Sequence, residues 1–268
     1  MCVIGGRYLA AMLQRLVDIL FPRRCVGCGG PSWPFCPACA AATVALVPPG
    51  CFRCGRPLEV ATPRCGQCPP SVIEWSRAAF LYEGPVRAAL MRLKFSGMSH
   101  SAEAFAPAMA EALARAPPTD HGLGQGGRDV LTWVPLGARR RRERGYDQAE
   151  VLAHAVGSMS GWPVRRLLRR VIETDPQARR PGPERHLALQ GAFAPVQPLP
   201  GLRVVVIDDV LTSGATAGEC ALVLRRAGAL DVGLVTAARS LGGGLPARCY
   251  NPARFPPGSV VARGRSSR

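Results

Sequence analysis

A chain of 268 residues with 47% hydrophobic content has room for one good-sized core and a smaller unit beside it, which excludes a disordered protein. The formal net charge of +16 resembles a nucleic-acid signal. Of the 34 basic residues, however, only Lys94 is a lysine, which points to a GC-rich coding bias rather than a built patch. A chain this basic binds polyanions loosely whatever its function.

In residues 1–22, Leu9, Met12, Leu13, Leu16 and Leu20 form one apolar stripe, predicting an amphipathic helix that ends before Pro22. The segment is too short for a bilayer, and Arg15 and Asp18 interrupt it. It also lacks the uncharged core and cleavage site of an export signal, so the expectation is a cytoplasmic protein without a membrane span.

Residues 23–70 hold four C-x-x-C pairs: Cys25/Cys28, Cys36/Cys39, Cys51/Cys54 and Cys65/Cys68. Cys28 and Cys54 are each followed by glycine, which permits the tight knuckle that turns two thiolates toward one ion. Two knuckles complete a tetrahedral four-cysteine zinc site with no position left for water, so the expected role is structural, with one or two ions. Sequential pairing, first with second and third with fourth, is the expected arrangement; a cross-braced one also fits the spacings. A disulfide cluster is the competing reading, and it suits an exported mini-domain rather than a chain with no export signal. Such a small unit needs staples to fold.

Residues 71–244 alternate strands and helices in the α/β manner. A strand is expected through VIEWSRAAFLYEG to Gly84, then a helix from Pro85 to Phe95 with Val86, Ala89, Leu90 and Leu93 on one face. A second helix is expected over Ser101 to Arg115, followed by a proline- and glycine-rich loop. Within that loop GLGQGG (122–127) matches G-x-G-x-x-G, but no strand precedes it and a strand follows, which excludes a dinucleotide fingerprint. DVLTWVPL (129–136) reads as the next strand, GARRRRERGYD as a loop, and the residues around Ala149, Leu152, Ala153 and Val156 as a helix. Residues 174–192 read as a long loop or flap. A strand, a helix ending near Gly228 and a last strand, DVGLVTAARS, follow. Residues 245–268 have no period and are expected to be disordered.

The stretch VVVIDDVLTSGAT (204–216) is the most informative. Val204 to Ile207 form a buried parallel strand that ends on Asp208 and Asp209, and Thr212, Ser213, Gly214, Ala215 and Thr216 lead into a helix. Open α/β sheets bind ligands in that crevice, at the carboxyl ends of their strands. Two adjacent carboxylates repel and are costly to bury, so a purely structural role explains them poorly. Vicinal sugar hydroxyls are a natural ligand for them, and amides and hydroxyls at a helix N-terminus suit a phosphate. Together these residues describe a ribose 5-phosphate cradle.

This stretch closely resembles the phosphoribosyl pyrophosphate (PRPP) signature of type I phosphoribosyltransferases. With the cysteine pairs ahead of it, the chain resembles the ComF family, whose members are linked to natural competence and DNA uptake. VPLGARRRRERGYDQAEVLA, LKFSG (93–97) and the DPQ…R…GAF series (175–193) look like further family landmarks. The resemblance implies a type I phosphoribosyltransferase-like parallel sheet flanked by helices, preceded by a small zinc ribbon domain. It implies that Asp208 and Asp209 hold the ribose hydroxyls and that Thr212 to Thr216 hold the 5′-phosphate. Pro135 and Leu136, with Arg139, Arg144 and Gly145, would hold the pyrophosphate, and Mg2+ would enter with PRPP. Asp147 stands where the family usually has asparagine, and Ala188 replaces another.

Two functions follow from different classes. One is Mg2+-dependent phosphoribosyl transfer to an unidentified nitrogen acceptor. The other is a non-catalytic PRPP-fold module that acts in DNA handling through its ribbons and basic surface, with DNA or DNA-uptake and recombination proteins as partners.

Overall fold

The computed structural model describes residues 23–117, 129–173 and 189–241. The expected N-terminal helix over 1–22, the GLGQGG segment, residues 174–188 of the proline-rich segment and the tail from 242 lie outside the described residues. Among the described residues no helix is long and apolar enough to cross a membrane.

The centre is a four-stranded parallel sheet. Its strands are β1 (Trp75–Leu81), β2 (Asp129–Trp133), β5 (Arg203–Leu211) and β6 (Asp231–Arg239), in the order β1-β6-β5-β2. Two further strands, β3 (Leu168–Arg170) and β4 (Phe193–Pro195), make a separate antiparallel pair. β5 and β6 are buried along nearly their whole length, which is why they read as continuous apolar runs rather than alternating ones.

Helices cover both faces. Helix α1 (Pro37–Ala41) lies in the cysteine-rich unit; α2 (Gly84–Phe95), a 3-10 turn (Ser99–Ala104), α3 (Ala106–Ala114), α4 (Ala138–Arg144), α5 (Gln148–Ser160) and α6 (Ala215–Arg226) belong to the α/β unit. One core joins α2, α3 and α5 to Val205, Ile207 and Val235, and the four predicted apolar residues of α2 are its buried ones. The other joins α6 and the β3–β4 pair to Val204, Val206 and Val232. The parallel sheet between two helical layers is the α/β arrangement that the alternation of strands and helices predicts.

Two predicted elements differ. The expected single helix over Ser101 to Arg115 is a 3-10 turn followed by α3, the change coming at Phe105 ahead of Pro107. A proline at the start of a helix is tolerated because its missing N–H would have had no partner there. GARRRRERGYD is not a loop: Ala138 to Arg144 form α4, which ends at Gly145 with φ 80°. Arginine and glutamate are good helix formers, and a left-handed glycine is the common way to stop a helix.

Packing at the strand starts is specific. Arg203 on β5 makes a bidentate pair with Asp129 on β2, at 2.7 and 2.9 Å, with both side chains buried. Asp231 on β6 stands opposite Arg203 in the register. The Trp75 indole packs so closely on β6 that a Cβ on Gly233 would lie 2.3 Å from the ring.

Removing Arg203 leaves a buried acid without its partner, which costs about 3–5 kcal/mol. Arg203→Met is therefore expected to move the chemical-denaturation midpoint down sharply. A midpoint equal to that of the wild type would show that the pair does not hold the strand starts together.

Candidate functional site

The eight predicted cysteines form two clusters, Cys25, Cys28, Cys36 and Cys39, and Cys51, Cys54, Cys65 and Cys68, with the four sulfurs of each within 4.8 Å of one another. This is the sequential arrangement, not the cross-braced one. All nine described cysteines are free thiols, which corresponds to the metal reading rather than the disulfide one. Backbone N–H groups aim at the sulfurs: Cys36 N donates to Cys25 Sγ at 3.2 Å and Cys65 N to Cys51 Sγ at 3.3 Å. Burial works against charge on Cys25, but the N–H of Cys36, then those of Cys28 and Gly27, hold its thiol down to about 6. Cys51 follows the same pattern, at about 7, with the Cys54 and Cys65 N–H groups outweighing burial. Four convergent sulfurs with backbone N–H groups aimed at them fit a tetrahedral zinc with no open position, where the ion would act as a staple.

The clusters are built into the α/β unit. Leu46 N bonds Ala79 O and Leu81 N bonds Val44 O, so the segment between the two cysteine clusters lies antiparallel on the edge strand β1 and covers it. Arg92 on α2 donates to the carbonyls of Val26 and Gly27 in the first knuckle. Arg77 donates to the Phe52 carbonyl and Arg239 to those of Cys54 and Gln67 in the second unit. Arg53 holds the Pro69, Pro70 and Ile73 carbonyls.

At the carboxyl ends of the strands lies a basin of about 290 Å³. Asp208, Asp209 and all of Thr212 to Thr216 line it, and so do Pro135, Leu136 and Arg144. The structure thus gathers most of the predicted site residues into one concavity. Two do not line it. Arg139 points elsewhere, pairing with Glu143 at 3.8 Å, and Arg140, the next residue round the α4 helix, lines the basin instead. Gly145 is the left-handed stop of α4 and sets where Arg144 stands.

Each wall has a local cause. Asp209 is buried and its carboxylate meets the Lys94 ammonium at the end of α2. Asp208 is half-buried and accepts from the Asp209 N–H at 2.8 Å. Burial first, and then the Asp209 charge, push the Asp208 carboxyl well above the usual range. Gly214 has φ 78° and begins α6. Any Cβ there would stand 2.8 Å from Pro69, and one on Gly218 3.0 Å from Pro70. The loop therefore rests directly on the end of the second cysteine unit.

The opposite wall is held by Asp147. This buried residue caps α5, accepting from Ala149 N at 3.0 Å and from Glu150 N at 3.5 Å, while its second oxygen accepts from Leu136 N at 2.7 Å. An acceptor-only side chain suits a site where three N–H groups converge, which accounts for aspartate in place of asparagine. Ala188, the other departure, lies outside the described residues. Arg144 donates to Gln148 Oε1 at 2.7 Å and stacks over the Phe95 ring at 4.9 Å.

Sequence reasoning missed several basin residues. Arg170 arrives on the short β3 strand, and Tyr82, Gln148 and Thr236 come from separate elements. Lys94 carried a signal in the sequence, as the only lysine of the chain.

Residues 16–69 match the double zinc ribbon domain family. Over 216 residues the chain is 31% identical to the DNA utilization protein YhgH of Salmonella typhimurium (strain LT2), an alignment that covers 78% of this chain and 92% of the relative. It is 27% identical over 201 residues to Competence protein ComFC of Bacillus subtilis (strain 168), covering 71% and 78% respectively. A solved glutamine PRPP amidotransferase from B. subtilis aligns with 51% of this chain and 26% of its own, at 23% identity and a TM-score of 0.33, too partial a likeness to add to what the sheet order shows.

Purified under reducing conditions, the protein is expected to carry about two zinc ions per chain, one for each cluster. Elemental analysis finding one or fewer would overturn the pairing into two complete sites. Because the 212–216 loop rests on Pro69 and Pro70, Cys68→Ser should raise amide exchange in that loop by about ten-fold or more, and Cys28→Ser should leave it alone. Equal exchange in both variants would mean that the second unit does not support the loop.

Proposed function

The chain belongs to the ComF family, and from that membership and the geometry of the basin we propose that it binds PRPP and transfers its phosphoribosyl group to a nitrogen acceptor. The association of relatives with competence and DNA utilisation suggests a role for that activity in DNA uptake.

The observation that carries the reading is the convergence, in one basin, of three groups matched to three parts of one ligand. The acid pair faces the place for the ribose hydroxyls. Thr212 to Thr216, with amides at the start of α6, suit the 5′-phosphate; the N-cap residue Gly214 offers no capping side chain, and the Ser213 hydroxyl accepts only from Ala215 N at 3.4 Å. Arg140, Arg144 and Arg170 line the side where a diphosphate would lie.

The proposed chemistry is dissociative at the sugar. The C1′–O bond breaks with its electron pair going to the departing diphosphate, and a new bond forms from the acceptor nitrogen, which then gives up a proton. The arginines would strengthen their hold as charge builds on the diphosphate, so they favour the transition state over the bound substrate. The carboxylates hold the ribose and respond to the developing positive charge. The oxygen donors of the basin, the half-buried Asp208 carboxyl with the Thr212 and Ser213 hydroxyls, fit a hard cation, and Mg2+ bound with PRPP would neutralise the diphosphate.

Calorimetric titration of PRPP with Mg2+ tests the reading. Saturable binding is expected, and Asp208→Asn with Asp209→Asn should weaken it by at least about 1.5–3 kcal/mol, the worth of one hydrogen bond to a charged group. Affinity unchanged in the double variant would show that the basin is misassigned. Binding without pyrophosphate release across a panel of nitrogen nucleophiles would leave a PRPP-binding module in place of the transferase.

A further inference from the structure

Lys94 is the one lysine among 34 basic residues. Elsewhere this chain meets its need for a cation with arginine. The surface pairs Arg23–Glu103, Arg115–Glu111 and Arg141–Glu150 use it, and so does the buried pair Arg203–Asp129. In such a chain the single lysine raises the question of what an ammonium does at its place that a guanidinium would not. That place is the floor of the basin. The Lys94 side chain is 21% exposed, it comes from the last turn of α2, and its ammonium meets Oδ2 of Asp209, whose own side chain is 8% exposed.

The two cations differ in shape. A guanidinium is a planar fork that takes both oxygens of a carboxylate, as Arg203 does with Asp129, whereas an ammonium is a compact point charge that engages one oxygen. A lysine therefore neutralises Asp209 without enclosing it. Successive residues of a strand face opposite sides, so Asp209 pairs toward α2 while Asp208, the more exposed of the two, lines the basin beside it, and its charge helps, after burial, to push the Cys220 thiol on α6 up. Burial works against the Lys94 charge, but Asp209 first and Asp208 after it outweigh that and hold the ammonium above the ordinary lysine range.

We propose that Lys94 is a positioning residue of the basin: it anchors Asp209 through one oxygen and so divides the acid pair into an inner, salt-bridged member and an outer member, Asp208, that meets the sugar. This rests on the PRPP reading above. It goes beyond it in assigning unequal roles to the two acids and in requiring lysine rather than any cation at position 94.

The test is a double-mutant cycle on Mg2+–PRPP binding with Lys94→Met, Asp209→Asn and the pair together, beside Lys94→Arg, read by calorimetry. Lysine-selective carbon labelling adds a direct reporter, because the chain yields a single lysine ε-carbon signal. Lys94→Met is expected to weaken binding by about ten-fold or more, and to add little once Asp209 is asparagine, since contacting residues are not additive. Lys94→Arg should fail to restore affinity. In the ligand-free protein the lysine signal should titrate at lower pH in Asp209→Asn than in the wild type. Lys94→Met binding like the wild type, losses that multiply in the double variant, or full affinity in Lys94→Arg would each overturn the proposal. If the wild type binds no PRPP, the functional reading fails on its own. The lysine signal then decides the pairing alone: unmoved in Asp209→Asn it overturns the Lys94–Asp209 anchor, and shifted to lower pH it sustains that anchor while the role of Asp208 toward the sugar falls with the functional reading.

Discussion

At the end of β6 the buried Arg239 gives one guanidinium nitrogen to the Cys54 carbonyl and another to that of Gln67. Arg53, within the second cysteine unit, does the same for Pro69, Pro70 and Ile73. These contacts bind the second cysteine cluster to the sheet and fix the two prolines against Gly214 and Gly218. Carbonyls in a tight knuckle have no ladder to join, and a buried acceptor without a partner is costly. Arginine, with several donors on one planar group, satisfies them in sets. The shape of the loop over 212–216 then follows from the ribbon beneath it.

This arrangement gives the ribbons a role inside the α/β unit. The first knuckle packs on α2 through Val26 and is gripped by Arg92, and α2 carries Lys94 to the acid pair. The second unit supports the loop at the start of α6. Both the acid pair and that loop are thus set on elements that the cysteine clusters brace. A site placed on rigid elements keeps its geometry better than one placed on free loops.

The basin's charges are arranged rather than merely accumulated. Asp208 and Asp209 adjoin in sequence yet meet different surroundings, one half-buried beside α6 and one salt-bridged toward α2. Asp147 spends its carboxylate on three N–H groups and shapes the Pro135–Leu136 turn without facing a ligand itself. Arg140 and Arg144 fall on the basin side of α4, while Arg139 and Arg141 pair with Glu143 and Glu150. A run that looks uniform in sequence divides in this way because a helix turns each successive side chain by about 100°.

Much of this was legible in the sequence alone. Cysteine spacing pointed to four tight knuckles and to zinc ligation, while sequential and cross-braced pairing both fitted it until the fold brought the sulfurs together in sequence order. The continuous apolar runs determined a parallel sheet covered on both faces, and the order of acids, hydroxyls and glycine pointed to a ligand at one strand's end. The tertiary structure decided the rest, because those features depend on contacts between distant segments. That Arg170 reaches the basin from a three-residue strand and that Lys94 stands on Asp209 are not local facts. Lys94 and Asp209 lie on different elements, and only the packing of α2 against the sheet brings them together. Glycine at 214 looks in sequence like simple loop freedom, yet in the fold it is required by the approach of Pro69. Local chemistry states which groups are available, and packing across the sheet states which of them meet.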